Sequence, residues 1–411
     1  MKDKIGFWSL LALVITSQIG SGIMTRPGPM SYLGGAGQWG WVLSFGAAIM
    51  LSLIFAKLCE IYPQTGGPSV YVRHAFGKSA GFLTAWSYWI VSWVATLSLV
   101  VGGIAYLQPF LPKINPIFYE CLMVTLFIIM NLFGIKISSI INIIFVILKI
   151  LPLIIVPIIM TLSLSNTIAL SGESCQPIDW NHIIKGGFLT FWGFVGLEVG
   201  TVPGEFIKNP KRTIPKAILW GTVIVGSIYV INSLSFYFLI PSKDLMNSPV
   251  PYAIACDFIF KNPYVMAILG SLICFGSVHT WILMTADIGY GAAQNGFFHK
   301  IFLIHSKKGT PISSIILSSI GIYPLIFLTH SDKLSEQMAM ILDVSSTVFL
   351  MIYGLCSFSY IKISQDKKWL GWVGVAMAML LMIGSGWLSI FYSCILIVCG
   401  IPFLIKAVPF E

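Results

Sequence analysis

Charged residues are scarce in this chain. Asp, Glu, Lys and Arg together make up 9% of its 411 residues, whereas a soluble globular domain carries roughly 25%. Hydrophobic residues reach 57% and the mean hydropathy is +0.89. Because a chain this apolar would expose a large hydrophobic surface to water, the composition excludes a soluble domain and predicts a protein embedded in lipid.

The chain also lacks the patterns of several kinds of site. Its 8 cysteines are scattered singly, with no Cys-x-x-Cys pair, which argues against disulfides and metal sites. Its 6 histidines form no ligand cluster, and no local Ser/His/Asp arrangement supports an enzyme. No ATP-binding P-loop is present, so we expect any transport to be driven by gradients or exchange. The sequence therefore predicts no catalytic residues, no metal site and no cofactor.

Basic residues exceed acidic ones and give a formal net charge of +9. They do not form one patch, so we expect no nucleic acid partner; they lie instead in short segments between apolar runs, which is how membrane topology is encoded. Most of the 24 Lys and Arg fall in segments that are cytoplasmic if the amino terminus is inside. We therefore expect a multi-pass protein of a bacterial inner membrane with both termini in the cytoplasm.

Long apolar runs occupy most of the sequence. Because about 20 mostly apolar residues span a bilayer, these runs predict an all-α polytopic membrane protein of about twelve spans. The predicted spans, numbered 1 to 12, are 7–33, 38–62, 80–110, 116–134, 139–163, 185–205, 215–241, 262–293, 311–330, 335–361, 369–387 and 389–406. Spans 11 and 12 are counted separately, since about 38 apolar residues are too many for one crossing.

Glycines interrupt two of these spans. Span 1 contains Ile19-Gly20-Ser21-Gly22-Ile23, and span 6 contains Gly193, Gly196 and Gly200. Glycine destabilises a helix interior by about 1 kcal/mol relative to alanine and allows backbone to approach a ligand. An unwound stretch would free N–H and C=O groups that a bound carboxylate or ion could satisfy, although small-residue helix packing is an alternative for span 1. Two interrupted spans five apart favour an inverted-repeat transporter.

Two ionisable residues lie inside spans, where they are costly and usually functional. Glu198 in span 6 could pair with a cationic substrate, carry a proton or hold a gate, and a structural hydrogen bond is the alternative. Lys149 in span 5 could link spans 1 and 8 by its charge and exchange a proton, and snorkelling to an interface is the alternative. Asp287 and Asp343 also fall within spans, and Asp287 is a candidate packing or gating contact.

Aromatic residues supply candidates for gates, because a ring can cover a ligand and contact an amine through its π face. The candidates are Tyr88, Trp192, Trp281 and Tyr353. Aromatics make up 14% of the chain, so packing is the alternative for each of them.

Three segments resemble the amino acid–polyamine–organocation transporters, and within them the basic amino acid/polyamine antiporters. They are Ile19–Ile23 in span 1, Tyr62–Gly77 after span 2, and Lys208-Asn-Pro-Lys-Arg-Thr-Ile-Pro215 after span 6. The last is the most specific, and the resemblance covers nearly the whole chain. It implies alternating access and a LeuT-type five-plus-five inverted repeat with helices 1 and 6 broken. Residues 1–163 would form the first repeat, 185–361 the second, and 367–408 the last two spans.

The resemblance also implies roles for individual residues. The substrate-binding residues would be Ile19, Gly20, Ser21, Gly22, Ile23, Ser92, Thr96, Trp192, Gly196, Trp281 and Ser345. The gating residues would be Tyr88, Trp192, Glu198, Trp281 and Tyr353, with Tyr88, Glu198 and Tyr353 in an outer gate. The coupling residues would be Lys149 and Glu198.

Two residues bear on the substrate. Thr96 stands where arginine antiporters of this family carry an asparagine, which weakens an assignment to arginine. Lys149 resembles a span 5 lysine found in proton-coupled and heteromeric amino acid transporters. We expect a sodium-independent transporter for a cationic amino acid or its amine product, and proton symport of neutral amino acids through Lys149 is the alternative.

Two other classes of membrane protein fit less well. A channel needs a continuous polar lining, whereas bulky aromatics beside the glycine breaks favour occlusion. A sensor would usually carry a large soluble signalling segment, and the sequence indicates none. The expected partners are an amino acid or amine substrate, protons and membrane lipid, and a homodimer is an assembly that the sequence permits.

Overall fold

The structure is a computed structural model that describes residues 4–164, 179–246, 248, 250–260, 264–306, 310–330 and 334–407. Its described residues are mainly helical, with one isolated parallel bridge between Ile5 and Ile207. The helices are α1 (Phe7–Gln18), α2 (Ser21–Thr25), α3 (Pro27–Ser31), α4 (Gly34–Ile61), α5 (Pro68–Phe76), α6 (Lys78–Leu107), α7 (Pro116–Leu132), α8 (Ile135–Leu164), α9 (Trp180–Phe191), α10 (Pro210–Leu239), α11 (Ser242–Leu245), α12 (Pro251–Phe260), α13 (Tyr264–Gln294), α14 (Ile312–Ile320), α15 (Ile322–Thr329), α16 (Leu334–Ile363), α17 (Lys368–Ile383), α18 (Trp387–Val398) and α19 (Ile401–Ala407).

Ten helical segments of the described chain are long and apolar enough to cross a membrane. Two shorter apolar helices, α7 and α17, occupy the positions predicted for spans 4 and 11. The all-α, multi-pass architecture is therefore confirmed. The count of twelve crossings, the repeat boundaries and the five-plus-five symmetry stay predictions.

Burial separates the spans into inner and outer ones. The segments that contain α1, α6, α9 and α13 are the most deeply buried, whereas the segment that begins with α18 is mostly exposed. Since a helix is apolar on all sides when it lies in a protein core or in lipid, hydropathy alone does not separate these two groups. The two glycine-interrupted spans both lie in the inner group.

A backbone-to-backbone contact between α4 and α9 positions span 6. A Cβ added to Gly186 would lie 2.6 Å from the carbonyl oxygen of Gly37, a distance that requires a shift. Next to this contact, Thr190 Oγ1 lies 2.8 Å from Ser44 Oγ and donates to the carbonyl of Gly40 at 3.1 Å. Small residues allow such an approach and hydroxyls reinforce it inside a membrane.

Several segments meet at one end of the bundle, called here the amino-terminal face and defined by Ile5, Thr65, Arg73, Ile207 and Asn295. Ile5 pairs with Ile207. Arg73 Nη1 donates to Asn295 Oδ1 at 3.1 Å, and Asn295 Nδ2 donates to the carbonyl of Thr65 at 3.3 Å. The segments after spans 2, 6 and 8 and the start of span 1 therefore share one end.

We expect Gly186→Val to lower the melting temperature of the purified protein, because overpacking a tight contact costs about 1–3 kcal/mol. Gly46→Ala in α4 is the matched control, since a Cβ there meets nothing within 4 Å, and it should melt at or slightly above the wild-type temperature. Wild-type melting of Gly186→Val would contradict the close approach of α4 and α9.

Candidate functional site

Span 1 is interrupted where the glycine pattern predicts a break. Helix α1 ends at Gln18 and α2 begins at Ser21, with extended backbone at Ile19 (φ −75°, ψ 106°) between them. Gly20 and Ser21 are both buried. A Cβ on Gly20 would lie 2.6 Å from Leu99 Cδ2 and 2.9 Å from Ser277 Oγ. The chain therefore turns here against helices α6 and α13, where only glycine fits without a shift.

The ammonium group of Lys149, a residue of α8, lies at the carboxyl end of α1. Its side chain is fully buried, and Nζ donates to the carbonyls of Thr16 at 3.0 Å and Ile19 at 2.9 Å and to Ser277 Oγ at 2.6 Å. Ser277 Oγ in turn donates to the carbonyl of Ile19 at 2.6 Å. These contacts use all three donors of an ammonium group. Lys149 therefore links spans 1, 5 and 8 and does not extend to an interface.

Two further side chains donate hydrogen bonds to carbonyl groups at the end of α1. Trp281 Nε1 donates to the carbonyl of Ser17 at 3.1 Å, and Tyr229 OH donates to the carbonyl of Gln18 at 2.8 Å. The last carbonyls of a helix have no partner within it, and each unpaired group is costly in an apolar core. Trp281, a candidate from the sequence, therefore contacts the break directly, while Ser277 and Tyr229 were missed by sequence reasoning.

Span 6 is interrupted in the same region. Helix α9 ends at Phe191, and the chain continues in 3₁₀ turns at Trp192–Phe194, Leu197–Thr201 and Gly204–Phe206. Gly196 has φ +102°, which is strained for any residue with a side chain. Its carbonyl accepts a hydrogen bond from Ser17 Oγ at 2.9 Å. The left-handed residue thus brings the break in span 6 against the end of α1.

The two breaks contact each other. A Cβ on Gly22 would lie 2.8 Å from Gly193 Cα. Beside this contact Trp192 Nε1 donates to Ser21 Oγ at 3.0 Å, and Ser21 Oγ lies 3.3 Å from Ser98 Oγ. The structure therefore brings the predicted residues of both breaks into one site, together with Ser98 of α6.

Glu198 lies in the unwound part of span 6, and its side chain is fully buried. Oε1 accepts a hydrogen bond from Tyr88 OH at 2.9 Å, and Oε2 accepts hydrogen bonds from Tyr353 OH and, at 3.2 Å, from Gly196 N. Acid and aromatic candidates from three spans therefore form one hydrogen-bonded cluster, called here the Glu198 cluster and defined by Tyr88, Glu198 and Tyr353.

Phe349 is at the centre of the aromatic side chains. Its ring centroid lies 5.8–6.4 Å from those of the four gate candidates. They are Tyr88, Trp192, Trp281 and Tyr353. Sequence reasoning missed Phe349, although its spacing of four residues from both Ser345 and Tyr353 puts the three on one face of α16. That spacing is the signal that could have found it.

Three predicted hydroxyl residues do not contact the breaks through their hydroxyls in the structure. Ser92, Thr96 and Ser345 each donate to the carbonyl four residues earlier in their own helix, at 2.7 Å. This back-bonding is common for Ser and Thr in apolar helices. Their binding role stays a prediction, while Ser98 is the α6 hydroxyl in contact with Ser21.

An ion pair lies on the other side of the break in span 1. Arg26, 2% exposed, approaches Asp343 of α16 with 3.5 Å between Nη2 and Oδ1. Arg26 follows α2 directly, and Asp343 lies ten residues before Tyr353 along α16. The pair and the Glu198 cluster therefore lie toward opposite ends of the bundle.

The Glu198 cluster lies between the breaks and the amino-terminal face. The ring of Tyr353 packs against Phe55, two turns from the end of α4 that leads to this face, with centroids 5.4 Å apart. Glu198 itself lies nine residues before Ile207. This depth does not agree with an outer gate if the amino terminus is cytoplasmic, and both the orientation and the side of the gate stay predictions.

Two interrupted spans that meet in the core, with buried ionisable groups at both, are the architecture of a secondary transporter. The model of the amino acid permease family matches residues 5–410. The chain belongs to this amino acid permease family. It is a membrane transport protein of the amino acid–polyamine–organocation superfamily and is not an enzyme.

Known proteins resemble this permease along most of its length. It is 30% identical to a cadaverine/lysine antiporter of Escherichia coli (strain K12) over 341 residues, 79% of this chain and 74% of the relative. It is 24% identical to a putrescine transporter of the same strain over 358 residues, 85% of this chain and 82% of the relative. The solved structure of the nucleobase-cation-symport-1 family transporter Mhp1, in a closed conformation with bromovinylhydantoin bound, superposes with a TM-score of 0.58 at 15% identity, covering 100% and 95% of the two chains. That likeness shows a shared fold.

We expect Gly22→Ala to reduce the transport rate of the permease by about tenfold or more, because displacement of a binding group by about 1 Å is enough to disrupt a site. The measurement is uptake, per reconstituted protein, of labelled lysine, which the name of the Escherichia coli antiporter suggests as a probe. Gly354→Ala is the control, since its added Cβ makes an ordinary contact of 3.5 Å with Ala378. Wild-type uptake by Gly22→Ala would show that the breaks need not touch.

Proposed function

We propose that this permease is a sodium-independent secondary transporter that exchanges a cationic amino acid, or its amine product, by alternating access. The observation that carries this proposal is the fully buried carboxylate of Glu198 in the unwound part of span 6. Its protein partners among the described contacts are two tyrosine hydroxyls and backbone N–H groups, and they include no Lys or Arg. A cationic substrate would supply the positive charge.

The names of the relatives agree with this choice of substrate. A cadaverine/lysine antiporter and a putrescine transporter act on molecules with an amino group at the end of an alkyl chain. An ammonium group is favoured near a carboxylate and near aromatic faces. The Glu198 cluster and the aromatic side chains around Phe349 provide both beside the two breaks.

We propose a binding mode in which the two ends of the substrate contact different breaks. The α-carboxylate would bind the backbone at Ile19–Ile23, where the first N–H groups of α2 have no partner within their own helix. Trp192 would cover the substrate, and Trp281 would support it from below. The distal amine would extend toward Glu198. An amine product lacks the carboxylate and would depend more on Glu198.

Lys149 supports independence from sodium. Its ammonium already supplies a positive charge to the carbonyls of Thr16 and Ile19, the type of oxygen ligand that a hard cation uses. We propose that protonation of Lys149 is coupled to the transport cycle, because removal of its charge would weaken the link between spans 1, 5 and 8.

We further propose how the gates face the membrane. With both termini cytoplasmic in a bacterial inner membrane, the Glu198 cluster would form an inner gate and the Arg26–Asp343 pair an outer closure. Alternating access would then open one side while the other keeps its contacts.

Proton symport of a neutral amino acid is the second candidate. The observation that favours it is the presence of two buried cationic side chains, Lys149 and Arg26, on either side of the break in span 1. Their charges would oppose the entry of a cationic substrate. In this case Glu198 would hold the inner gate through its tyrosines and would not contact the substrate.

We expect Glu198→Gln to reduce lysine uptake by about tenfold or more and to leave the melting temperature near that of the wild type, because the amide keeps the shape and removes the charge. The assay compares labelled lysine with labelled leucine in proteoliposomes. Glu60→Gln, at an exposed pair with Lys57, is the matched control. Undiminished lysine uptake by Glu198→Gln would rule out the cationic substrate.

We expect Lys149→Ala to abolish the pH dependence of uptake or to stop transport, because the variant lacks the amine at the end of α1 whose protonation is proposed to be coupled to transport. The measurement is initial uptake rate against external pH, with Lys57→Ala as the control at an exposed lysine. A pH–rate profile identical to that of the wild type would refute the coupling role of Lys149.

A further inference from the structure

A pocket lined by aromatic side chains takes no part in the site described above. Its volume is about 430 Å³, and small-ligand sites typically have roughly 300–1,000 Å³. It is called here the Trp86 pocket and is defined by Phe82, Trp86, Trp89, Phe298, Phe302 and Phe403. Phe403 is 53% exposed, so the pocket opens at the surface of the bundle.

The pocket lies at the ends of three spans. Phe82 lies in the second turn of α6, Phe298 follows the end of α13 within four residues, and Phe403 belongs to the short helix α19. Aromatic side chains are enriched where a bilayer meets water. The pocket is therefore placed where a lipid can insert a chain and keep its headgroup in water.

Hydrogen bonds hold the two tryptophans in place. Trp86 Nε1 donates to the carbonyl of Leu396 at 3.1 Å, and Trp89 Nε1 donates to Ser318 Oγ at 2.8 Å. The ring of Phe403 stacks on that of Trp86, with centroids 4.8 Å apart. Because the polar atoms of both indoles are used by α18 and α14, their rings give the pocket apolar walls.

The rim of the pocket is basic. His299 lines it, and the exposed Lys300 follows directly. Arg73 and Lys78 lie near the start of α6 at the same end of the bundle. The three stretches of sequence that contribute the lining contain no Asp or Glu, namely 71–110, 288–330 and 388–410. Such a rim attracts an anionic group and repels a cationic amine.

We propose that the Trp86 pocket binds one anionic phospholipid, with an acyl chain between the aromatic walls and the phosphate at His299 and Lys300. An acyl chain gains little from an apolar pocket alone, since the surrounding bilayer is equally apolar. Selection of this lipid therefore comes from the basic rim, as in other basic pockets between membrane helices. The proposal requires only that the chain spans a membrane and does not depend on the substrate.

Arg73 joins the pocket to the amino-terminal face. Its guanidinium carbon lies 5.6 Å from the ring centroid of Phe297, which also lines the pocket, and Nη1 donates to Asn295 Oδ1. A bound lipid would restrain Phe297 and, through Arg73, the contacts of this face. Because a ligand of the folded state stabilises it, an anionic lipid should raise the melting temperature.

The test measures lipid binding to the full-length protein in a neutral detergent. Phosphatidylglycerol and phosphatidylcholine are added in equal amounts, and native mass spectrometry counts the lipids retained by each chain. We expect the wild type to retain one phosphatidylglycerol, with an affinity about fivefold or more above that for phosphatidylcholine, the effect of one basic residue near a membrane surface. Excess inorganic phosphate should not displace the lipid.

Two variants separate the walls from the rim. Phe403→Ala should lower the retention of both lipids, because it removes one wall. Lys300→Gln should lower the affinity for phosphatidylglycerol by about fivefold and leave that for phosphatidylcholine unchanged. Phe391→Ala, at a ring of α18 that is 54% exposed, and Lys57→Gln, at an exposed lysine of α4, are the matched controls and should bind like the wild type.

Three outcomes would overturn the proposal. Equal affinity of the wild type for the two lipids would show that the rim does not select an anionic headgroup. Wild-type binding of phosphatidylglycerol by both pocket variants would place the lipid elsewhere. Loss of a dimer in Phe403→Ala, with lipid binding unchanged, would assign the pocket to an interface between two copies of this chain.

Discussion

The end of helix α1 in the middle of the protein is the constraint on which the rest of the site depends. A helix that stops in an apolar core leaves carbonyl groups without partners. Here Lys149, Trp281 and Tyr229 donate to these carbonyls. The donors come from three different spans, so satisfying the backbone of α1 also fixes how spans 5, 7 and 8 pack around it. In the proposed binding mode, the same unwinding makes backbone available to a substrate.

The second break joins the end of α1 to the proposed gate. Gly193 allows span 6 to approach Gly22, and the left-handed Gly196 directs the following turns so that Glu198 meets Tyr88 and Tyr353. Phe349 packs against Tyr88 of the Glu198 cluster and against Trp192 at the break in span 6. A movement of span 6 would therefore change the proposed substrate contacts and the Glu198 cluster together, as the proposed alternating access requires.

The sequence predicts the parts of this account that depend on composition and local pattern. Apolar runs predict the spans, and the glycines of spans 1 and 6 predict the positions of the breaks. The rarity of ionisable groups in spans identified Lys149 and Glu198, because such residues are seldom retained in a membrane without a role. Their partners within the structure confirm that both are at the breaks, while their functions stay proposals.

The parts that sequence reasoning missed depend on contacts between distant segments. Ser98 contacts Ser21, whereas Ser92 and Thr96 donate to carbonyls of their own helix. The sequence does not show which of these hydroxyls faces the break. The pair of Arg26 and Asp343 joins residues 317 positions apart. The predicted outer gate and the predicted cytoplasmic amino terminus do not agree for the Glu198 cluster, because the direction of each span has to be combined with its depth, which a list of aromatic candidates does not give.

We propose that the ammonium of Lys149 serves the broken helix in place of a bound sodium ion. The most direct test is exchange of labelled lysine into lysine-loaded proteoliposomes of the wild-type protein, with sodium outside and then with sodium replaced by a large organic cation. If Lys149 supplies this charge, the rates in the two buffers should be equal. A rate that falls to background when sodium is removed would contradict it.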